Sequence, residues 1–197
     1  MPAVLLGPPA AFCKSFVSVE IEELIASYNL TKHLLKLGHK RIAYLAGPSA
    51  APWAHERFEG YRRALREAGL DADDKFVFAA GGTIEDGVKA ALQMLNESCN
   101  ATAVQAVNDL VAVGCAETLL AQGLKIPHDI SVAGFGNILT AEHYRVPLTT
   151  VRQPKFRLGV AAVDAMMNLM RGESVQPQRL TAELIEREST APPKTHK

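Results

Sequence analysis

Short, almost wholly apolar runs alternate with stretches of helical period along nearly the entire chain, and this alternation restricts the fold more than any other feature. The runs are "RIAYLA" at 41–46, "KFVFA" at 75–79, "AVQAV" at 103–107, "ISVAG" at 130–134 and "LTTV" at 148–151, with further strand signals at 3–6 and 180–186. Helices are expected between them, over 21–37, 53–68, 83–97, 109–122 and 156–170, with a short turn or helix at 139–144. The first shows the pattern most fully: Ile21, Leu24, Ile25 and Tyr28, then Leu30, Leu34, Leu35 and Leu37 recur at helical spacing. Gly38, Gly69, Gly123 and Gly172 follow helical stretches, where glycine commonly ends the hydrogen-bond ladder, and Thr83 stands where an N-cap belongs. Strands that are apolar on both sides need cover on both faces. Helices on either side of a parallel sheet supply it, so the class is α/β.

In an open sheet of this kind, ligands bind beyond the carboxyl ends of the strands. Asn108 and Asp109 stand at one such end, between a buried strand and an apolar helix. Asp109 is expected to cap and fix the turn. Asn108 can present donors and an acceptor to a ligand, or serve the turn alone. Arg57 follows the "RIAYLAGP" strand in the first turns of the next helix, and Phe135 and Gly136 follow "ISVAG". A guanidinium, an amide, an aromatic ring and a glycine at one edge form a candidate polar-ligand site. Each has a plainer role too: Arg57 could pair with Glu56 or Glu59, and Gln153 could satisfy backbone groups before Pro154.

Other chemistries find no support. "GFGNIL" starts like a dinucleotide-binding turn, but Leu139 stands at its third glycine position, and no acidic residue closes a following strand at the required distance. There is no P-loop, H-E-x-x-H or G-x-S-x-G, and the six histidines are scattered; no catalytic residue, cofactor or metal is expected. His39 is read as structural or solvated. Lys plus Arg equals Asp plus Glu at 21 each, so the chain lacks the basic excess of a direct DNA binder. Cys13, Cys99 and Cys115 are odd in number with no C-x-x-C spacing, which reads as free thiols in a cytoplasmic protein. The opening "MPAVLLGPPAAFCK" lacks the basic start and length of a signal peptide or membrane span. It reads as a strand that begins at once, which suggests sequence upstream.

Several stretches, in order, resemble the effector-binding core of the lactose-repressor (LacI/GalR) family of transcriptional regulators: "HLLKLGHKRIAYLAGP", "ERFEGYRRALREAGL", "TAVQAVNDLVAVGCAETLLAQGLKIPHDISVAGFG", "PLTTVRQP" and "ELIEREST". The resemblance implies a periplasmic-binding-protein-like fold of two parallel-sheet subdomains around a cleft, the N-terminal subdomain being incomplete. It implies a remnant of that subdomain at 1–18, the C-terminal effector-binding subdomain at 19–151, a crossover and N-terminal-subdomain helix at 152–179, a last strand at 180–190 and a disordered tail at 191–197. It implies a cleft lined by Val19, Arg57, Asn108, Phe135, Gly136 and Gln153. The partners it implies are a small, carbohydrate-like effector, a second copy of the chain, and operator DNA reached only through a helix-turn-helix domain missing here. Gly136 departs from the pattern. The family often has aspartate there, and losing a buried acceptor weakens a polyol ligand by about 1–3 kcal/mol. Either Asn137 substitutes, or the effector is not a simple sugar and Arg57 favours an anion. The incomplete subdomain is expected to keep about one strand with an exposed apolar edge.

Overall fold

In a computed structural model, residues 2–8 and 16–194 are described. They form two lobes. The larger holds a parallel sheet of order β4-β3-β5-β6, made by β3 (Ile42–Ala46), β4 (Val77–Ala79), β5 (Ala103–Ala106) and β6 (Ser131–Ala133). Helices α1 (Glu23–Lys36) and α2 (Pro52–Glu67) cover one face. Helices α3 (Ile84–Asn96) and α4 (Asp109–Ala121) cover the other. Strand β3 shows why: Ile42 and Tyr44 pack with Leu34, Tyr61 and Leu65, while Ala43 and Leu45 join Phe78, Met94, Val104 and Leu119. Both faces of the strand are buried, as its unbroken apolar run requires.

Thr83 caps α3 in a capping box with Asp86. The expected strand at 75–79 begins at Val77 instead, because the Asp73 carboxylate accepts from Lys75 N and winds Asp74–Phe76 into a single 3-10 turn. After the short α5 (Leu139–His143), β7 (Thr150–Arg152) runs beside the end of β6 and pairs antiparallel with β9 (Glu183–Ile185).

The smaller lobe holds a parallel sheet of order β1-β2-β8, from β1 (Val4–Leu6), β2 (Val17–Ile21) and β8 (Gln178–Leu180), packed against α6 (Lys155–Met170). Three strands stand where about one was expected. The first expected helix starts at Glu23, since "VSVEI" extends as β2 with Val17, Val19 and Ile21 at alternate positions. The 18/19 boundary therefore falls inside a strand that belongs to this sheet throughout. The expected last strand opens only at Glu183, because Leu180 still pairs with Ile21. Of the 1–18 segment, residues 1 and 9–15 lie outside the described residues. The exposed apolar surface is carried chiefly by α6, where Phe156, Val163 and Met170 are 84%, 62% and 68% exposed.

The expected disordered tail is tied down as far as Lys194. The Ala191 carbonyl meets His39 Nε2 at 2.9 Å and accepts from Ser131 Oγ, and Lys194 pairs with Asp129. His39 is buried, with its second ring nitrogen 2.9 Å from Thr102 Oγ1, so it is structural rather than solvated. Residues 195–197 lie outside the described residues. No helix among the described residues is long and apolar enough to cross a membrane.

The candidate effector cleft

Strands β3 and β5 are neighbours, yet the helices that follow them, α2 and α4, lie on opposite faces of the sheet. The chain ends diverge there and open a crevice. The smaller lobe closes it from the other side. The cleft has a volume of about 360 Å³ and draws Leu6, Gly7, Pro8, Lys155 and Leu158 from the smaller lobe and its approach. That is at the low end of small-molecule sites, about 300–1,000 Å³, and suits one compact metabolite.

Five of the six expected ligand residues, Arg57, Asn108, Phe135, Gly136 and Gln153, line this one cleft, together with Asp109. Val19 does not. It is fully buried inside the smaller lobe, in register with Leu6 and Gln178. The crossover begins later, so Ile21 and Glu23 reach the cleft instead.

Arg57 is held on every side. Its Nε donates to Glu23 Oε2 at 2.7 Å and its Nη1 to the Val107 carbonyl at 2.6 Å. Its guanidinium carbon lies 3.6 Å from the Phe135 ring centroid and 4.7 Å from that of Trp53. Both partners of the ion pair are buried, with side chains 7% and 6% exposed. The expected pairing with Glu56 or Glu59 is replaced by one with Glu23, across 34 positions of sequence. Such a partner cannot be read from local spacing, and Glu23 is the principal site residue the sequence did not reveal. Arg57 is thus already paired with Glu23, and with Asp109 and Lys155 also on the wall the cleft is lined by two acidic and two basic side chains.

The cap expected of Asp109 is made by Asn108, and Asp109 fixes a different turn. Asn108 is the N-cap of α4: its Oδ1 accepts from Val111 N at 2.8 Å, while its Nδ2 donates to the Gly82 carbonyl at 2.9 Å. Asp109 braces the next loop. Its carboxylate accepts from Ile138 N at 2.9 Å and from the Thr150 hydroxyl at 2.5 Å, and its backbone N–H donates to the Phe135 carbonyl at 3.0 Å. Burial pushes this carboxyl above the ordinary aspartate range, against the pull of the Thr150 and Ile138 bonds. Phe135 is thereby fixed against Arg57. Replacing Asn108 by alanine removes the cap and the tie to Gly82 and is expected to cost about 0.5–2 kcal/mol, read from the urea midpoint.

Gly136 has φ +132° and donates from its N–H to the Val151 carbonyl at 2.8 Å. L side chains rarely adopt that conformation, so the turn itself favours glycine at this position. Asn137 does not substitute: its Oδ1 accepts from Arg187 Nη2 at 2.8 Å, and it lies outside the cleft wall. Among the described residues no group of three or more metal-ligating side chains is gathered.

A family model described as periplasmic binding protein-like domain matches residues 31–190. The HTH-type transcriptional repressor CytR of Escherichia coli K12 is 35% identical over 191 residues, which cover 93% of this chain and 56% of that protein. The HTH-type transcriptional regulator CelR of Thermobifida fusca is 34% identical over 192 residues, 96% of this chain and 56% of the relative. Among solved structures, a CelR–cellobiose complex superposes with a TM-score of 0.88 at 32% identity, over 94% of this chain and 58% of that one. A LacI-family regulator from Enterococcus faecium with bound ribose gives 0.89 at 28% identity, over 98% and 72%. The chain thus spans little more than half the length of the curated relatives it matches. It belongs to the periplasmic binding protein-like domain family and, within that family, to the LacI-family transcriptional regulators.

Proposed function

We propose that this chain is the effector-binding part of a cytoplasmic LacI-type regulator, acting by ligand binding and not by catalysis. One observation carries the reading: a cleft between two lobes, walled from both, whose arginine is already neutralised by a buried glutamate. The bound relatives, one with cellobiose and one with ribose, support a carbohydrate-like effector. The balanced wall charge favours a neutral one. Apolar lining from Leu6, Ile21, Trp53, Leu110, Phe135, Ile138 and Leu158 suits a ring presenting a hydrophobic face, and Asn108 and Gln153 offer amides to its hydroxyls. Effector binding changes the lobe angle. In a homodimer that change moves DNA-binding units, carried by sequence outside this chain, on and off an operator.

Thermal unfolding with neutral sugars, sugar phosphates and small acids tests this. A neutral ligand at about 100 times its Kd adds about 2.7 kcal/mol and a visible rise in Tm. Phe135→Ala is expected to abolish the rise. A shift given only by the acids and phosphates would overturn the assignment of a neutral effector.

A further inference from the structure

Between the lobes, beside the cleft but outside its wall, lies a second polar cluster. Arg179, on β8 of the smaller lobe, points Nη2 at two carboxylates: Glu20 Oε2 on β2 at 3.1 Å and Glu56 Oε1 on α2 of the larger lobe at 3.6 Å. Glu20 is 4% exposed, and its other oxygen accepts from Ser18. Glu56 adjoins Arg57 in sequence, so the helix that carries the cleft arginine also carries this contact. Glu20 Oε2 and Glu56 Oε2 are both shielded from water, and neither receives a hydrogen bond among the described residues. Arg179 approaches the first without the alignment of a hydrogen bond. Counting Glu23 with its partner Arg57, three carboxylates face two guanidiniums.

The Glu56 side chain is 23% exposed, but its Oε2 is shut away from water with no donor; a carboxylate oxygen so placed is costly, and a proton removes the cost. We propose that Glu56 is a proton-binding site between the lobes, so that closing the cleft takes up a proton. The groups facing it are Arg179 from β8, Glu20 from β2, Glu23 at the start of α1 and His55 on its own helix. Burial raises the Glu56 carboxyl above the ordinary glutamate range, Arg179 opposes this, and Glu20 and Glu23 reinforce it. The sign follows. A carboxyl whose charged form is disfavoured when the lobes meet binds its proton more tightly in the closed form, so falling pH favours closure. Opening returns Glu56 to water and to its ordinary affinity.

Trp53, the only tryptophan in the sequence, lines the cleft and reports its closure without any effector. The full chain is titrated from neutral to mildly acid pH, following Trp53 emission, with small-angle scattering for the lobe angle. The wild type is expected to give one sigmoidal transition with compaction at acid pH. Glu56→Gln removes the transition and holds the compact form at all pH values. Arg179→Gln removes the opposing charge and moves the midpoint to higher pH. His55→Gln moves it in the same direction as Arg179→Gln but by less, because His55 is the weakest of the charges acting on Glu56. A transition that survives Glu56→Gln, a midpoint that Arg179→Gln leaves unmoved, or no transition in the wild type would each overturn the proposal. No effector enters the measurement, so its failure is separate from failure of the effector reading.

Discussion

Arg57→Ala is expected to lower the unfolding free energy by about 3–5 kcal/mol, the cost of breaking a buried ion pair from one side. The Glu23 carboxylate, 6% exposed, loses its cation, and the Val107 carbonyl loses a charged donor. The space between the Trp53 and Phe135 rings empties as well. Most of the loss comes from the charge left behind and little from the pair itself, which makes a second prediction possible within the same experiment. Arg57→Met with Glu23→Gln removes both charges at similar volume and is expected to recover more than half of the stability, since buried ion pairs replaced as a unit are often neutral exchanges. Urea midpoints of the wild type, the single and the double variant decide the matter. A single-variant loss under about 1 kcal/mol would place the pair among solvated surface bridges.

The second large effect is expected in the packing of α3 on α4, which cross backbone to backbone. A Cβ on Gly114 would fall well inside van der Waals contact of the Ile84 carbonyl, and one on Gly87 would meet the Val111 carbonyl in the same way. The obstructing atoms belong to rigid helices, so no side chain can swing aside. Gly114→Ala is expected to cost at least the upper end of the usual overpacking range, about 3 kcal/mol, and to lower Tm accordingly. Gly159, in the middle of α6, has open space around its Cβ position and an ordinary φ. There alanine removes only the flexibility of glycine in a helix and is expected to stabilise by about 0.5–1 kcal/mol. Opposite signs for one substitution on two helices of one protein would separate packing from propensity. Equal signs would refute the close approach of α3 and α4.

What could be read from the sequence was what short spacing encodes. The apolar runs 41–46 and 103–107 became β3 and β5 because both of their faces are buried, and Thr83 became a cap because Asp86 stands three residues on. Strand β2 was lost because Ile21, which alternates with Val17 and Val19, also falls in helical register with Leu24, Ile25 and Tyr28. The short run left the choice of period to tertiary pairing with Leu6 and Leu180. At the site, positions after strand ends were legible and partners were not. Arg57 was found, but Glu23 came from another element. Asn108 and Asp109 were found, but which one capped the helix depended on Ile138 and Thr150, about thirty and forty positions away. Gln105, polar inside a buried strand, is explained only by α1, where it accepts from Thr31 and donates to the Ser27 hydroxyl.

The interleaving of the two sheets also sets a schedule for biosynthesis. In the smaller lobe the central strand waits for its downstream neighbour: Val19 pairs with Gln178, and Ile21 with Leu180. In the larger lobe β7 waits for Glu183–Ile185. As the chain leaves the ribosome, β2 lacks one neighbour and β7 lacks its antiparallel partner until residues 178–185 have emerged. A stop ahead of residue 178 would leave one edge of β2 open and β7 unpaired, while the four-stranded sheet of the larger lobe, whose last strand ends at Ala133, would still have all its strands, so the exposed edges that invite aggregation would be confined to the smaller lobe and the β7 ribbon.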